Sequence, residues 1–213
     1  MYRRYIKRPL DVVFALVLLI ALAPVYLITA VVIKLESKGP VIFKQTRTGL
    51  YGKPFTLLKF RSMAAQNNIY DNTSTDEVTR VGAFIRKTSI DELPQLINVI
   101  MGDMSFIGPR PWIPEYHKHM SAKQRRRSDV RPGITGLAQS RGRNALTINE
   151  KIDFDLRYAG HLSLYEDLKV IFFTLVTLYD KSTLHIGKSG IHDEIMELKK
   201  QQHNTINESG SQV

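Results

Sequence analysis

At 213 residues the chain can bury one full-sized core with a membrane anchor or tail to spare, and 43% apolar residues exclude a disordered protein. It has no cysteine, which excludes a disulfide framework and a thiolate metal site and fits a reducing compartment. A formal net charge of +10, with a pI near 9.8, calls for an anionic partner (nucleic acid, acidic lipid or a phosphorylated substrate) without choosing among them.

From Val12 to Ile33, 22 residues carry no charged side chain, about the ~20 that a helix needs to cross a hydrocarbon core. Three readings compete. A cleaved signal peptide would use Arg3, Arg4, Lys7 and Arg8 as its basic region and Ala21-Leu22-Ala23 as its cleavage site, but Pro24 then falls just after the cut. A plain spanning helix would have to absorb Pro24, which lacks an N–H and clashes with the Ile20 carbonyl. A re-entrant helix would break there and return. Lys34, Lys38 and Lys44 follow the run as basic residues precede it, so the positive-inside bias does not distinguish the ends.

Val41–Gln45 and Phe55–Phe60 read as short strands, with Gly49–Pro54 as turn material between them, which predicts a hairpin. Asn67–Thr75 is polar and reads as a surface loop. Leu93, Leu96, Ile97, Ile100, Met101 and Met104 recur at helical spacing. Pro94 belongs in a first turn, so this helix is expected to start at about Ser89 to Asp91, with Asp91 and Glu92 at its N-terminus. Gly102 and Gly108-Pro109-Arg110-Pro111 mark its end and the loop beyond, and Arg131–Gly136 is again turn-rich. Leu162–Leu178 is strongly apolar and reads as a core helix or one lying along a bilayer surface. Beyond Lys199 a frayed polar tail is expected.

The adjacent acids Asp91 and Glu92 are the candidate chemistry. As helix-start residues they would simply cap free N–H groups and complement the dipole. The same position suits a phosphate, a carboxylate there can attack phosphorus, and it can hold a hard cation such as Mg²⁺. Lys59, Arg61, Arg86 and Arg110 are the nearest cations for neutralising phosphate oxygens, though each alone is an ordinary surface charge. Arg125-Arg126-Arg127 reads as a solvated face or a contact for anionic lipid. Gly187-Lys188-Ser189 ends like a P-loop, but Ser182 stands where its first glycine is required. His117 and His119 lack further ligands at metal spacing and read as exposed loop residues.

Taken together these blocks resemble the bacterial sugar transferases, the monotopic phosphoglycosyl transferases that start capsule, exopolysaccharide and glycoprotein glycan assembly. The resemblance runs from about Lys7 to Leu178. It rests on Lys7–Asp11, Gly39–Gln45, Lys59–Met63, Arg86–Leu96, Gly102–Pro111, Arg131–Gln139 and Gly142-Arg143-Asn144. It implies a helix-rich α/β (α+β) fold: a re-entrant anchor over residues 1–38 broken near Pro24, then one small catalytic domain over 39–185. Short strands and amphipathic interfacial helices would seat that domain on the cytoplasmic face of the bacterial inner membrane. Residues 186–213 would be a partly disordered extension, and the chain would be the minimal form, without a multi-helix N-terminal region.

The resemblance further implies transfer of a sugar-1-phosphate from a UDP-sugar to undecaprenyl phosphate, with release of UMP. Asp91 would be the nucleophile and Mg²⁺ site, with Glu92 assisting. Lys59, Arg61, Arg86, Arg110, Arg131, Gln139 and Arg143 would bind substrate. Nucleic acid is not expected as a partner, and a homo-oligomer stays open. The chain departs from the family pattern where Ala23-Pro24 replaces Ser-Pro, Leu137 replaces tryptophan, and Ser140-Arg141 replaces Val-Asn. The alternative from another class is a membrane-tethered protein that binds nucleic acid or anionic lipid through its arginines.

Overall fold

The computed structural model describes residues 1–64, 78–142, 145–179 and 194–201. The expected loop at Asn67–Thr75 and the stretch Gly187-Lys188-Ser189 lie outside them. The fold is a helix-rich α/β arrangement with two two-stranded sheets. The chain divides into two compact units, Met1–Thr46 with Thr56–Ser105, and Arg47–Phe55 with Phe106–Val213.

The first unit opens with a π-helical turn, Tyr2–Ile6, running into α1 (Lys7–Ala21), followed by α2 (Ala23–Glu36). Pro24 stands in the first turn of α2, where its missing N–H costs no helical bond. The helix therefore breaks ahead of the proline, at Leu22, and the two arms are bent by 61°. Among the described residues no single helix is long and apolar enough to cross a membrane, whereas this bent pair passes that test jointly.

β1 (Ile42–Thr48) and β2 (Pro54–Phe60) form the expected hairpin, turned through Leu50–Gly52 with Tyr51 in the left-handed region. Ile33, Phe60 and Ile85 make the centre of the core, with Tyr26, Val41, Ile42, Ile90 and Leu93 packed on it. α3 (Arg80–Lys87) is capped by Thr79, whose hydroxyl accepts from Gly82 N at 2.9 Å. A side chain at Gly82 would place its Cβ 1.9 Å from the Ser62 carbonyl oxygen, so only glycine lets α3 seat against that strand end.

The predicted helix after the acid pair begins later than its periodicity suggests. A single 3₁₀ turn, Ile90–Glu92, comes first, and α4 (Gln95–Met101) starts after Pro94. The backbone bonds across this junction, Leu93 N to Ile90 O and Leu96 N to Leu93 O, are of the tighter i to i−3 kind. The buried face is also shifted: Leu96, Asn98 and Val99 point inward while Met101 is 59% exposed. α1 packs along α4, with Ala15 fully buried and the Arg8 guanidinium donating to the carbonyls of Val99 and Ile100. Asn98 completes the far edge of β2: its Oδ1 accepts from Leu58 N at 3.0 Å and its Nδ2 donates to Thr56 O at 2.8 Å. That satisfies one N–H and one C=O on the strand edge.

In the second unit β3 (Ser105–Ile107) pairs with β4 (Gly133–Thr135). α5 (Pro114–His119), α6 (Ala122–Arg125), α7 (Leu137–Arg141), α8 (Ile148–Gly160) and α9 (Leu164–Tyr179) follow in order around two apolar clusters. α8 starts with a reciprocal cap between Thr147 and Glu150. In α9, Asp167 and Val170 are buried, and the Asp167 carboxylate accepts from Tyr158 Oη at 2.6 Å. The opposite face leaves Leu168, Ile171, Phe172 and Leu175 exposed. Residues 194–201 are helical, and their Ile195 and Leu198 join Ile113, Tyr116, Met120, Ile148 and Ile152 in one core cluster.

Candidate functional site

The acid pair is set by an unusual piece of backbone. α3 ends at Lys87, and Ser89 turns the chain with φ of 59°, a left-handed conformation that a non-glycine residue seldom adopts. The next residues are the one-turn 3₁₀ segment that carries Asp91 and Glu92. Asp91 is 8% exposed, so its carboxylate is held in place rather than waving in solvent.

Lys59, near the end of β2, lies across both acids. Its Nζ is 2.7 Å from Glu92 Oε1 and 3.8 Å from Asp91 Oδ2. One ammonium beside two adjacent carboxylates offsets their mutual repulsion. Lys59, expected from the sequence as a cation for phosphate oxygens, is here paired with the acids themselves.

Arg61 follows two positions later. Its guanidinium is buried, 6% exposed, and Nη2 donates to Ser37 O and Ser37 Oγ, both at 2.7 Å. Nε and Nη1 have no hydrogen-bond partner. Two donors of a buried cation left without acceptors are costly. Arg86, in the last turn of α3, is exposed and donates from Nε to Ser62 Oγ at 2.8 Å.

The remaining predicted residues belong to the second unit. Arg110 is exposed, on the loop after β3, and its carbonyl accepts from Arg127 Nη2 at 2.8 Å. Arg131 precedes β4. Gln139, on α7, donates from Nε2 to Ile134 O at 3.1 Å while its buried Oε1 has no partner. Arg143 lies outside the described residues.

The loops that carry Arg110 and Arg131 are laced backbone to backbone. Gly108 N donates to Thr135 O at 2.9 Å and Gly133 N to Pro109 O at 3.0 Å. A Cβ on Gly133 would fall 2.1 Å from Gly108 N, and one on Gly136 2.1 Å from Gly108 O. The glycines of both turn motifs are therefore required by close approach.

The arginine run keeps its reading as a solvated face at Arg125 and Arg126 and departs from it at Arg127. Arg125 donates to the carbonyls of His117 and Lys118, at 3.2 and 3.1 Å, and Arg126 is exposed. Arg127 is buried: Nε and Nη2 reach Asp155 Oδ2 at 3.0 and 2.6 Å, and the guanidinium lies 4.0 Å over the Trp112 ring. Burial pushes the Asp155 carboxyl up in pKa, opposed by Arg127 and then Lys151. Asp155 was not singled out in the sequence, and Arg127 stood there only as one member of the arginine run, with no sign of its burial.

His117 and His119 lie on α5 and not in a loop, His119 Nε2 resting 3.1 Å from Glu115 Oε1. Among the described residues no group of three or more His, Cys, Asp or Glu gathers as an all-protein metal cage. Mg²⁺ needs none, since one or two carboxylates plus phosphate oxygens usually hold it. The hard oxygens of Asp91, beside Glu92, fit that requirement.

A family model described as bacterial sugar transferase matches residues 2–181. An uncharacterized sugar transferase, EpsL, of Bacillus subtilis is 46% identical over 172 residues, covering 80% of this chain and 85% of that one. The UDP-glucose:undecaprenyl-phosphate glucose-1-phosphate transferase of Caulobacter vibrioides is 45% identical over 184 residues, covering 81% and 69%. The UDP-N-acetylgalactosamine-undecaprenyl-phosphate N-acetylgalactosaminephosphotransferase of Aeromonas hydrophila is 40% identical over 185 residues, covering 82% of this chain and 44% of its own length.

Proposed function

The chain belongs to the bacterial sugar transferase family, and on that premise we propose that it moves a sugar-1-phosphate from a UDP-sugar to undecaprenyl phosphate through a covalent intermediate on Asp91. The observation that carries this reading is the Lys59 ammonium lying across two adjacent carboxylates on a turn fixed by a left-handed Ser89.

In the first step a carboxylate oxygen of Asp91 attacks the phosphorus bonded to the sugar. The bond from that phosphorus to the bridging oxygen breaks, and UMP leaves with the electron pair. In the second step a phosphate oxygen of undecaprenyl phosphate attacks the same phosphorus and Asp91 leaves as a carboxylate, giving the diphosphate-linked sugar. Such splitting of one displacement into two is what carboxylate nucleophiles provide. Lys59 holds Glu92 and steadies the pair, and Arg61, two residues on, adds a fixed positive charge that favours the diphosphate. Arg86, Arg110, Arg131, Gln139 and Arg143 complete the proposed substrate contacts. Mg²⁺ on Asp91 would neutralise charge on the phosphate oxygens.

The anchor, residues 1–38, is proposed to be re-entrant, with the catalytic residues 39–185 on the cytoplasmic face of the bacterial inner membrane. Counted from Lys7, past the basic π turn, α1 has 15 residues and α2 has 14, so these parts of the arms are about 22 and 21 Å long, each short of a hydrocarbon core of about 30 Å. With both ends on one face, a 61° bend sends each arm down at about 30°, so the break lies about 11 Å deep, within one leaflet of about 15 Å.

The test is UMP release from a panel of UDP-sugars with Mg²⁺ and undecaprenyl phosphate. Asp91→Asn is expected to lower kcat by at least about 10³-fold while folding and membrane association stay intact. Normal turnover in that variant would falsify the nucleophile assignment. Mass spectrometry of wild-type protein incubated with donor alone is expected to show a phosphosugar adduct on Asp91.

A further inference from the structure

We infer that Tyr26, on the second arm of the broken anchor, is a positioning residue for the carboxylate pair, its hydroxyl holding the backbone that carries Asp91 and Glu92. The inference rests on the proposed role of that pair. Tyr26 lies four residues past the break at Leu22, and its hydroxyl donates to the carbonyl of Leu93, the residue directly after Glu92. The same carbonyl accepts from Leu96 N at 3.0 Å. Both of its lone pairs are thus engaged, and the 3₁₀ turn is tied to α4 on one side and to α2 on the other.

The ring of Tyr26 stands edge-on to Phe60, centroids 5.5 Å apart. Phe60 closes β2 directly after Lys59, so one tyrosine braces the turn that holds the acids and the strand that holds the lysine paired with them. A phenylalanine would fill the same apolar space, and only the hydroxyl adds the tie to Leu93. The first arm of the anchor holds the other end of this segment, where Arg8 donates to the carbonyls of Val99 and Ile100. Each arm of the bent pair therefore grips one end of residues 90–101. The anchor is part of the scaffold that places the carboxylates as well as a tether, and the bend is read out at Asp91.

The experiment uses the full chain in detergent or nanodiscs, with UDP-glucose and UDP-N-acetylgalactosamine as donors. Tyr26→Phe keeps the ring and removes only the hydroxyl. Its kcat for UMP release is expected to fall about tenfold while the donor KM stays within about twofold, the signature of misplacement without lost binding. Amide hydrogen exchange in residues 90–96 is expected to quicken about tenfold, with β2 and α3 unchanged. Unchanged exchange together with unchanged kcat overturns the inference, and so does faster exchange throughout the first unit, which marks general loosening. Tyr26→Leu removes the ring too. If the Phe variant matches wild type and only the Leu variant fails, ring packing carries the effect and the hydroxyl does not. Wild-type protein that releases no UMP from any UDP-sugar sinks the parent reading instead, and the exchange data then still decide whether the hydroxyl orders the segment.

Discussion

His117 fills the space that a side chain at position 52 would need. A Cβ on Gly52 would stand 2.6 Å from its Nε2, and Gly52 itself has φ of 75°. Burial against the hairpin tip, then the charges of Arg125 and Arg127, lower the pKa of this imidazole. A histidine whose folded pKa lies below its unfolded value folds as the neutral ring. Its contribution to stability is complete above about pH 6.5 and is lost as pH falls through the folded pKa. The urea midpoint is therefore expected to drop between about pH 7 and about pH 5.5, and His117→Gln to flatten that part of the slope. Equal slopes in the two proteins would remove His117 from the account. At this scale the sequence was unevenly readable. Asp91-Glu92 and Lys59 stood out because their chemistry is carried by residue type and order alone. Arg127 did not, because its burial depends on Asp155, 28 positions away, and nothing local separates it from the exposed Arg126 beside it.

Elements were readable where turn chemistry marks them. Gly49 through Pro54 announced the hairpin, and its strands overlap the expected Val41–Gln45 and Phe55–Phe60, with β1 running three residues further, to Thr48. The start of α4 was misjudged by a turn, because periodicity does not distinguish a 3₁₀ lead-in from the α-helix that follows it. The helix at 194–201 had the weakest signal: three apolar residues in a polar stretch, two of which, Ile195 and Leu198, gain meaning only once α5 and α8 supply the surface beneath them. Leu198 is fully buried there, and Glu194 accepts from Tyr116 Oη at 2.6 Å and Lys151 Nζ at 2.7 Å. Those ties make the helix part of the second unit's core. Leu198→Ala is expected to cost about 2–5 kcal/mol in urea unfolding, with faster exchange in α5 and α8. A loss well under about 1 kcal/mol would show the helix to be detachable.

For the whole chain, the arrangement of charge and apolar surface makes the proposed anchor testable with unusual directness. The chain has no cysteine, so any single introduced thiol reports one place only. Basic residues flank the uncharged run Val12–Ile33 of the bent pair on both sides, Arg3, Arg4, Lys7 and Arg8 before it and Lys34 and Lys38 after it. Moving either flank across the membrane would therefore oppose the positive-inside bias, and holding both on the anionic cytoplasmic surface satisfies it. Along α1 and α2 apolar side chains are exposed on both arms, among them Val13, Val17, Ile20, Leu27 and Ile28. A water-facing pair would leave that surface uncovered at a cost of roughly 25 cal/mol per Å². Arg3→Cys and, as a reference on the exposed face of α6, Lys123→Cys are the two probes. In intact cells an impermeant thiol reagent is expected to label neither, and to label both once the membrane is permeabilised. A spanning helix gives a different pattern, with Arg3→Cys labelled from outside and Lys123→Cys protected. That result would also move Arg8 to the far side of the membrane, where it could not donate to the carbonyls of Val99 and Ile100, so topology and the hold on the acid-bearing segment stand or fall together.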